Sequence, residues 1–386
     1  MCEKKCNFYS LFLILYTNFA YSLTNFFILI PTNDILLFSG ALLLSFIVTC
    51  VSIPSIIRVS NLKHLFDDPE DDRRVHTVAT PTLGGLAIFA GITLSALFFI
   101  DISLFPGLKF VIISMIILFF IGIKDDILMI APLTKMAGQI LAGFVVVVFG
   151  GVQITNLHGF FGIFEIHYLI GIPISVLTII VVTNAINFID GVDGLAATIT
   201  IIIAATFGVW FFLVKDYQYF ILSLAIVGAL LAFLRFNFFS KNKKIFMGDT
   251  GSLILGFLLA VLAIHFNEKN LDLINEDYHI LPAPSVTFGI MIIPLFDMLR
   301  VMFVRVMQRK SVLYPDKNHI HHIFLRLGFS HHQTVLVIAL INLFFIAFSF
   351  WVADFITIRR LLLLLLIMAT ASSFLAAYFS NKTNNK

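Results

Sequence analysis

Charge is what this sequence has least of. Only 12% of its 386 residues are Asp, Glu, Lys or Arg, whereas an average soluble domain carries about 25%. Hydrophobic residues make up 60% of the chain, and the mean hydropathy is +1.01. This composition excludes an ordinary soluble globular domain and indicates a membrane protein.

Cysteine and the familiar motifs of soluble enzymes are also scarce. Cys2, Cys6 and Cys50 show neither even pairing nor the spacing of a metal site, so we expect reduced thiols without a role. The chain contains no nucleophile elbow, no Walker A loop and no dinucleotide fingerprint. Its chemistry must therefore depend on other residues.

Apolar runs of about 20 residues, long enough to cross a bilayer, recur along the chain. Such runs form helices, because lipid offers no partner to backbone polar groups. The sequence therefore predicts an all-α polytopic membrane protein of about 11–12 transmembrane helices. We expect an extra span or signal-like segment at 1–34 and one transmembrane domain at 35–380. The predicted spans are 8–30, 35–58, 83–100, 106–123, 136–152, 168–186, 195–214, 217–236, 252–267, 285–306, 334–352 and 361–379.

Lysine and arginine predict the orientation of these spans. If the spans alternate from an inside N-terminus, nearly all of the 25 basic residues fall on the inner side, as the positive-inside rule requires. The exceptions on the outer side are Lys109, Lys215, Lys269, Arg359 and Arg360. The net charge of +3 thus reports topology, and we expect no nucleic-acid partner.

Polar and charged side chains concentrate in five segments, 59–82, 124–135, 187–194, 235–251 and 307–333. All five follow even-numbered spans, which places them together on the cytoplasmic side. Charged residues near a bilayer are costly and usually mark a substrate or ion site. We therefore predict a cytoplasmic-face cleft that takes a soluble substrate from water and a second one from lipid.

Carboxylates define two of these segments. Asp125 and Asp126 are adjacent, and adjacent carboxylates stay ionised only beside a cation, a hydrogen-bond donor or water. Asn187, Asp190 and Asp193, in NFIDGVDG, share one face if the helix continues. A helix N-cap would explain only one of these aspartates. The alternative, which explains all three residues, is that they bind a metal–phosphate complex or take part in proton transfer.

A third carboxylate, Asp249, lies between glycines in MGDTGS at the start of a span. A single carboxylate there suits a Mg²⁺ ion that keeps waters and contacts substrate phosphates, although an N-cap is an equal interpretation. His319, His321 and His322 lie in KNHIHH, where phosphate binding is at least as plausible as zinc. Together, acids, bases and histidines on one face favour phosphoryl transfer to a lipid head group.

Four motifs in order resemble one family, the polyprenyl-phosphate N-acetylhexosamine-1-phosphate transferases. They are KDD at 124–126, NFIDGVDGL at 187–195, IFMGDTGSLILG at 245–256 and PDKNHIHHIFLRLGFSHHQT at 315–334. The resemblance implies ten or eleven transmembrane helices around a cytoplasmic cleft in a bacterial inner membrane. It also implies Mg²⁺ or Mn²⁺, a UDP-sugar donor and undecaprenyl phosphate as acceptor.

The histidine motif separates two branches of this family. HIHH followed by LRLGFSHHQT is similar to the branch that transfers N-acetylglucosamine 1-phosphate for teichoic acid, O-antigen or capsule. The peptidoglycan branch, which transfers phospho-MurNAc-pentapeptide, typically has three consecutive histidines and then an acidic residue. The resemblance therefore favours UDP-N-acetylglucosamine as donor, with the peptidoglycan branch as the alternative. An ion-coupled transporter is the remote alternative, and the oligomeric state is left open, a homodimer included.

The resemblance also implies roles for individual residues. The acidic residues are expected to ligate the metal or to act on the phosphates, with Asp249 the leading metal ligand. The basic and amide side chains are expected to bind substrate, although positive-inside anchoring equally explains Lys135 and Arg305. The predicted catalytic residues are Asp125, Asp126, Asp190, Asp193, His321 and His322, the substrate-binding residues are Lys135, Asn187, His76, His319 and Arg305, and the metal ligands are Asp249 and Asp193.

Overall fold

The fold is taken from a computed structural model, which describes residues 32–63, 80–240, 243–274, 276–309 and 319–384. His76 and the predicted first span at 8–30 lie outside these described residues. The chain divides into two compact units, Met1–Gly40 and Ala41–Lys386. Every site considered below lies within the second unit.

Helices dominate the described residues, which confirms the predicted all-α class. Between α4 and α5, a short antiparallel hairpin pairs β1 (Asn156–Phe160) with β2 (Ile163–Glu165), a feature that the sequence did not predict. The helices are α1 (Thr32–Lys63), α2 (Gly84–Phe99), α3 (Leu108–Leu128), α4 (Pro132–Val148), α5 (Tyr168–Ile189), α6 (Leu195–Leu213), α7 (Tyr217–Asn237), α8 (Gly248–Asp272), α9 (Ala283–Ile290), α10 (Ile292–Met307), α11 (Ile320–Arg326), α12 (His331–Ala353) and α13 (Ile358–Asn384).

The helices account for each predicted span from residue 35 onward. In the described part of the chain, seven helices are long and apolar enough to cross a membrane, and an eighth crossing is formed if the bent pair α9–α10 counts as one. Two further predicted spans correspond to the shorter apolar helices α2 and α4. The remaining one is α3, which carries Lys109, Lys124, Asp125 and Asp126 at its two ends. The protein is a multi-pass membrane protein.

Helix α8 lies at the centre of the bundle, packed by α2, α3, α5 and α6. Almost its whole length from Thr250 to Ile264 is buried. Glycines let two neighbours approach its first turn closely. A Cβ on Gly85 of α2 would lie 2.1 Å from the backbone nitrogen of Gly251, and one on Gly122 of α3 would lie 2.4 Å from Cα of Thr250. Small residues at such crossings allow helix backbones to meet, and here they bring the end of α3 against the start of α8.

One predicted span, 285–306, proves to be two helices rather than a straight one. Helices α9 and α10 meet at Met291 with a bend of 83°. Pro294 explains the break, because proline lacks an N–H and its ring clashes with the carbonyl four residues earlier. That carbonyl belongs to Ile290, and it accepts a 3.4 Å hydrogen bond from the Asn342 side-chain amide of α12. The freed backbone group is thus satisfied by a neighbouring helix, as the apolar environment requires.

Candidate active site

The candidate active site begins where α3 ends against the first turn of α8. Asp126 Oδ1 accepts the backbone N–H of Asp249 at 2.6 Å. Its Oδ2 accepts the backbone N–H of Thr250 at 3.1 Å and the Thr250 hydroxyl at 2.5 Å. The first N–H groups of a helix have no partner within the helix. Asp126 therefore caps α8 from another helix and fixes the position of Asp249.

Gly248 makes this capping geometry possible. Its φ is +73°, and a Cβ there would lie 2.2 Å from the Thr82 carbonyl oxygen and 2.7 Å from Asp126 Oδ1. Only glycine adopts this conformation without cost while leaving room for the carboxylate. The MGDTGS segment is thus a turn built to receive Asp126.

Asp249 is bound by two of the five residues that the sequence indicated as substrate contacts. Lys135 Nζ, from the first turn of α4, lies 2.6 Å from Asp249 Oδ1. The side-chain amide of Asn187, near the end of α5, donates to the same oxygen at 2.5 Å and to Ser252 Oγ at 2.8 Å. Four helices, α3, α4, α5 and α8, therefore contribute side chains to one point at an end of the bundle.

Asp125 completes this cluster on the side of α4. Its Oδ2 lies 3.2 Å from Lys135 Nζ, and its Oδ1 accepts the backbone N–H of Ile130 at 2.8 Å. The Lys135 ammonium thus bridges two carboxylates that come from different helices.

The loop between α5 and α6 brings Asp190 next to this cluster. Burial, together with the negative charges of Asp249, Asp126 and Asp193, raises the pKa of Asp190 to about 8. A carboxyl group with such a pKa is largely protonated at neutral pH. A cation that binds nearby would stabilise the ionised form of Asp190, so Asp190 can release its proton when a cation binds.

Asp193, later in the same loop, is held by a lysine and a histidine side chain. Lys244 Nζ lies 2.7 Å from its Oδ2, and His331 Nδ1 lies 3.0 Å from the same oxygen. The loop itself is fixed by Asn237, whose side-chain oxygen accepts the Gly194 N–H at 2.6 Å and whose amide donates to the Ile245 carbonyl at 2.8 Å. The loop between α5 and α6 is therefore tied to the segment that leads into α8.

The histidine motif is organised by Asp297, which is only 2% exposed. Its Oδ2 lies 2.8 Å from His319 Nδ1, and its Oδ1 accepts the Ile320 N–H at 2.9 Å and an Arg300 N–H at 2.8 Å. Asp297 thus orients His319 and binds the first turn of α11. Asp297 and Arg300, which pair within the predicted span 285–306, are therefore connected to the HIHH motif through His319.

His321 joins the histidine motif to the aspartate loop. Its ring lies parallel to that of His319 at 5.8 Å and 4.3 Å from that of His322. A Cβ on Gly191 would lie 2.6 Å from His321 Nε2, so the ring packs directly on the loop backbone. Burial chiefly lowers the pKa of His321 to about 3, so the ring is neutral. Its Nδ1 is buried and has no hydrogen-bond partner among the residues that the structure describes.

The structure thus brings most predicted site residues to one end of the bundle. Asp125, Asp126, Lys135, Asn187 and Asp249 are linked by direct contacts. The other predicted members connect through the loop between α5 and α6 or through α11, and they are Asp190, Asp193, His319, His321 and His322. Arg305 is buried in the last turn of α10, and His76 lies outside the described residues.

Two residues in the site were missed by reasoning from the sequence. His331 lies three residues before the predicted span 334–352 and is not among the predicted site residues, yet it contacts Asp193. Lys244 was counted only as one of several basic residues at the inner surface, yet it pairs with the same carboxylate. A signal existed for Lys244, which lies five positions before Asp249. The signal for His331 was its place in the motif at 315–334, but its contact with Asp193 could not be predicted because 138 residues separate the two.

No group of three or more His, Cys, Asp or Glu side chains is arranged to hold a metal ion among the described residues. Mg²⁺, however, usually takes only one or two carboxylates and completes its shell with water and substrate phosphates. Asp125 and Asp249 fit that requirement, since the Lys135 ammonium already occupies a cation position between them. The donor set is all oxygen, which suits Mg²⁺ or Mn²⁺ better than zinc.

The fold and this site define a class of protein: a polytopic membrane enzyme whose acidic and basic side chains converge at one end of the helices. Comparison with known proteins agrees with that class. The family model of glycosyl transferase family 4 matches residues 108–267, which include Asp125, Lys135, Asn187 and Asp249.

Curated relatives match a larger part of the chain. A probable undecaprenyl-phosphate N-acetylglucosaminyl 1-phosphate transferase of Bacillus subtilis is 32% identical over 311 residues, 79% of this chain and 82% of the relative. A decaprenyl-phosphate N-acetylglucosaminephosphotransferase of Mycobacterium tuberculosis is 31% identical over 70% of this chain and 71% of its own length. An undecaprenyl-phosphate alpha-N-acetylglucosaminyl 1-phosphate transferase of Escherichia coli is 28% identical over 73% and 75%.

The chain therefore belongs to glycosyl transferase family 4, in the branch of the polyprenyl-phosphate N-acetylglucosamine-1-phosphate transferases. It is a membrane-bound transferase. The family, the branch and the enzyme class predicted from the four motifs are confirmed.

Proposed function

We propose that this enzyme transfers N-acetylglucosamine 1-phosphate from UDP-N-acetylglucosamine to undecaprenyl phosphate. UMP is released, and undecaprenyl-diphospho-N-acetylglucosamine stays in the membrane. The names of the relatives support the acceptor and the transferred group. The structural observation that carries the proposal lies at one end of a transmembrane bundle, where Lys135 contacts both Asp125 and Asp249 and Asn187 contacts Asp249.

The reaction exchanges one phosphoanhydride for another. An oxygen of the acceptor phosphate forms a bond to the β-phosphorus of the donor. The bond from that phosphorus to the bridging oxygen breaks, and UMP leaves with the electron pair. A phosphate monoester is already an anion near neutral pH, so the attack does not depend on a strong base. The reaction is expected to be nearly balanced in free energy and reversible by UMP.

The residues of the site would act mainly by placing charge. Lys135 lies beside both Asp249 and Asp125, where it can neutralise phosphate oxygens brought to the cluster. Lys244 places a positive charge next to Asp193 in the loop between α5 and α6, and the His331 ring contacts the same carboxylate oxygen. Positioning and electrostatic stabilisation supply most of the catalysis in phosphoryl transfer. Asp126 and Asp297 would serve as positioning residues, since their oxygens are engaged in holding Asp249 and His319.

Mg²⁺ is the cofactor that we propose, with Mn²⁺ as a substitute. Asp249 would hold it, with Asp125 beside it. The predicted ligand Asp193 contacts Lys244 and His331, whereas the Lys135 ammonium lies between Asp249 and Asp125, so we propose Asp249 as the ligand. When bound, the ion would polarise phosphoryl oxygens and offset the charge that develops on them. Its support in this chain is the oxygen donor set and the cation position between Asp125 and Asp249.

We further propose that the enzyme lies in the bacterial inner membrane with this end facing the cytoplasm, where it begins the lipid-linked assembly of a surface polysaccharide. The strong positive-inside bias supports the orientation. A nucleotide-sugar donor is polar and cannot cross the bilayer, so it must reach the site from the aqueous side. The lipid acceptor remains in the membrane.

The test is an assay of the purified protein with undecaprenyl phosphate, Mg²⁺ and a panel of UDP-sugars, in which UMP and lipid product are measured. We expect both products with UDP-N-acetylglucosamine and none without divalent cation. Activity confined to UDP-MurNAc-pentapeptide would move the chain to the peptidoglycan branch. UMP release and donor exchange without any lipid acceptor would instead indicate an enzyme-bound intermediate.

A further inference from the structure

A second, basic pocket lies at the same end of the bundle, where α7 ends and the chain leads towards Lys244. It is lined by side chains of α1, of the end of α7 and of the following segment, and its volume is about 340 Å³. The lining residues are Cys50, Pro54, Arg235, Phe236, Ser240 and Lys243. None of them belongs to the aspartate and histidine clusters of the candidate active site.

The charges of this pocket are all of one sign. Arg235 and Lys243 are exposed and have no carboxylate partner among the residues that the structure describes. Two neutral groups lie beside the Arg235 guanidinium, with Cys50 Sγ at 3.9 Å and the Phe236 ring centroid at 5.9 Å. The next residue, Lys244, pairs with Asp193. The adjacent residues Lys243 and Lys244 thus belong to different sites, and the Lys243 ammonium at the pocket is available to an anion.

The pocket continues into an apolar surface on the membrane side. Ile47 lies one turn before Cys50 on the same face of α1 and is 54% exposed. Leu231 lies one turn before Arg235 on α7 and is 42% exposed. Both helices are candidate membrane spans, so these side chains face hydrocarbon. A ligand with a phosphate at Arg235 and Lys243 would therefore direct an alkyl chain along Ile47 and Leu231.

We propose that this pocket binds the phosphate of an anionic membrane phospholipid, with the acyl chains lying against α1 and α7. Basic pockets between transmembrane helices are the usual sites for anionic head groups. Ser240 can add a hydroxyl to the phosphate, since its Oγ already accepts the Lys243 N–H at 3.0 Å and keeps its own hydrogen to donate. The proposal concerns a structural lipid and does not depend on the identity of the enzyme's substrates.

The test titrates phosphatidylglycerol into the purified full-length protein in a neutral detergent and follows the midpoint of thermal stabilisation. The variant Arg235→Gln/Lys243→Gln removes both cations of the pocket. The control Lys63→Gln/Arg309→Gln removes two exposed cations outside the lining. We expect the pocket variant to need about 30-fold more lipid, since each basic side chain at an anionic surface contributes about fivefold. The control should titrate like the wild type.

A parallel titration uses sn-glycerol 3-phosphate, which has the phosphate but no acyl chains. We expect no stabilisation at concentrations where the phospholipid saturates. An unchanged midpoint in the pocket variant, or an equal shift in the control, would overturn the proposed site. Equal stabilisation by glycerol phosphate would show that the pocket takes a soluble anion and not a lipid.

Discussion

The two ends of helix α8 show how differently one bundle treats its polar residues. Its first turn carries Asp249 among carboxylates and lysines, whereas its last turns carry His265 and Glu268. His265 Nε2 lies 2.7 Å from Asp216 Oδ2, and both oxygens of Glu268 accept hydrogen bonds from Thr155, at 2.9 and 2.5 Å. At that far end, His265 and Glu268 each have a matching neighbour.

The Asp249 end is not matched in this way. Five aspartates meet there, and the lysines that contact them among the described residues are Lys135 and Lys244. Carboxylates crowded together beside a membrane are costly unless cations neutralise them. The comparison teaches that polarity alone does not distinguish a functional end from a structural one. The functional end is distinguished by an excess of negative charge that neighbouring side chains hold in place.

The largest expected effect is the difference between two single variants, one that removes a negative charge at the Asp249 end of α8 and one that removes a negative charge at its far end. We expect Asp249→Asn to lower kcat on the order of a thousandfold, because a bound metal supplies several kcal/mol of transition-state stabilisation. The matched control is Asp272→Asn, the same substitution at the far end of the same helix, where the side chain is 67% exposed. UMP release by the two purified variants measures the contrast. Similar losses in both would abolish the distinction between the ends.

The next effect concerns Asp126, which caps α8. Asp126→Asn keeps one acceptor oxygen for the Asp249 and Thr250 N–H groups, whereas Asp126→Ala keeps none. We expect kcat to fall by about 10- to 100-fold, more for Ala, as is typical when a residue behind a metal ligand is changed. The Mg²⁺ concentration for half-maximal activity should rise in the same order. Loss of activity with unchanged Mg²⁺ dependence would assign Asp126 a direct chemical role instead.

A smaller effect is expected for the contact between Asp297 and His319. Asp297→Asn and His319→Gln should each lower kcat on the order of tenfold. If Asp297 acts by orienting His319, the double variant should be no worse than the poorer single variant, because residues in contact are not additive. The kcat values of the wild type, the two single variants and the double variant complete this double-mutant cycle. Multiplied losses would mean that the two residues act independently.

Changes at the far end should affect stability and leave turnover intact. Glu268→Ala removes the acceptors of two solvent-exposed hydrogen bonds from Thr155, which should cost about 1 kcal/mol. We expect a lower temperature of thermal unfolding in detergent with kcat of the folded protein unchanged. A large loss of kcat at normal stability would show that the far end also takes part in turnover.

The last effect is a pH dependence of stability at the Asp249 end. The pKa of Asp190 is raised to about 8 in the folded protein from an ordinary value of 3.8. The folded state therefore binds more protons than the unfolded state between these values, and its stability falls as pH rises from about 4 to about 8. With divalent cations chelated, Asp190→Asn should flatten that fall in the unfolding temperature. An equally steep fall in the variant would contradict the assignment.

The sequence predicted the two ends of α8 unequally well. Motif chemistry marked Asp125, Asp126 and Asp249 as one site, because carboxylates in an apolar chain are costly unless they bind a cation or a substrate. It did not predict that Asp126 caps α8, since the two contacts join residues 123 and 124 positions apart. A partner at that distance along the chain depends on helix packing, which local patterns do not encode.

Two features of the fold escaped the sequence for different reasons. The sequence did not predict the bend at Met291, because residues 285–306 were interpreted as one span although Pro294 lies within them. The hairpin at 156–165 lay in an outer loop that had no alternating pattern long enough to predict strands. The far-end contact of Glu268 with Thr155, just before that hairpin, was therefore also unpredicted.

The central claim is that transfer takes place at the Asp249 end of the bundle. The most direct measurement uses sealed vesicles and single cysteines introduced into a chain without Cys2, Cys6 and Cys50. Met129→Cys marks the Asp249 end, where the native side chain is 81% exposed, and Asp272→Cys marks the far end. Vesicles in which an impermeant maleimide labels position 129 should turn over UDP-N-acetylglucosamine added outside. Turnover confined to vesicles that label position 272 would contradict the account.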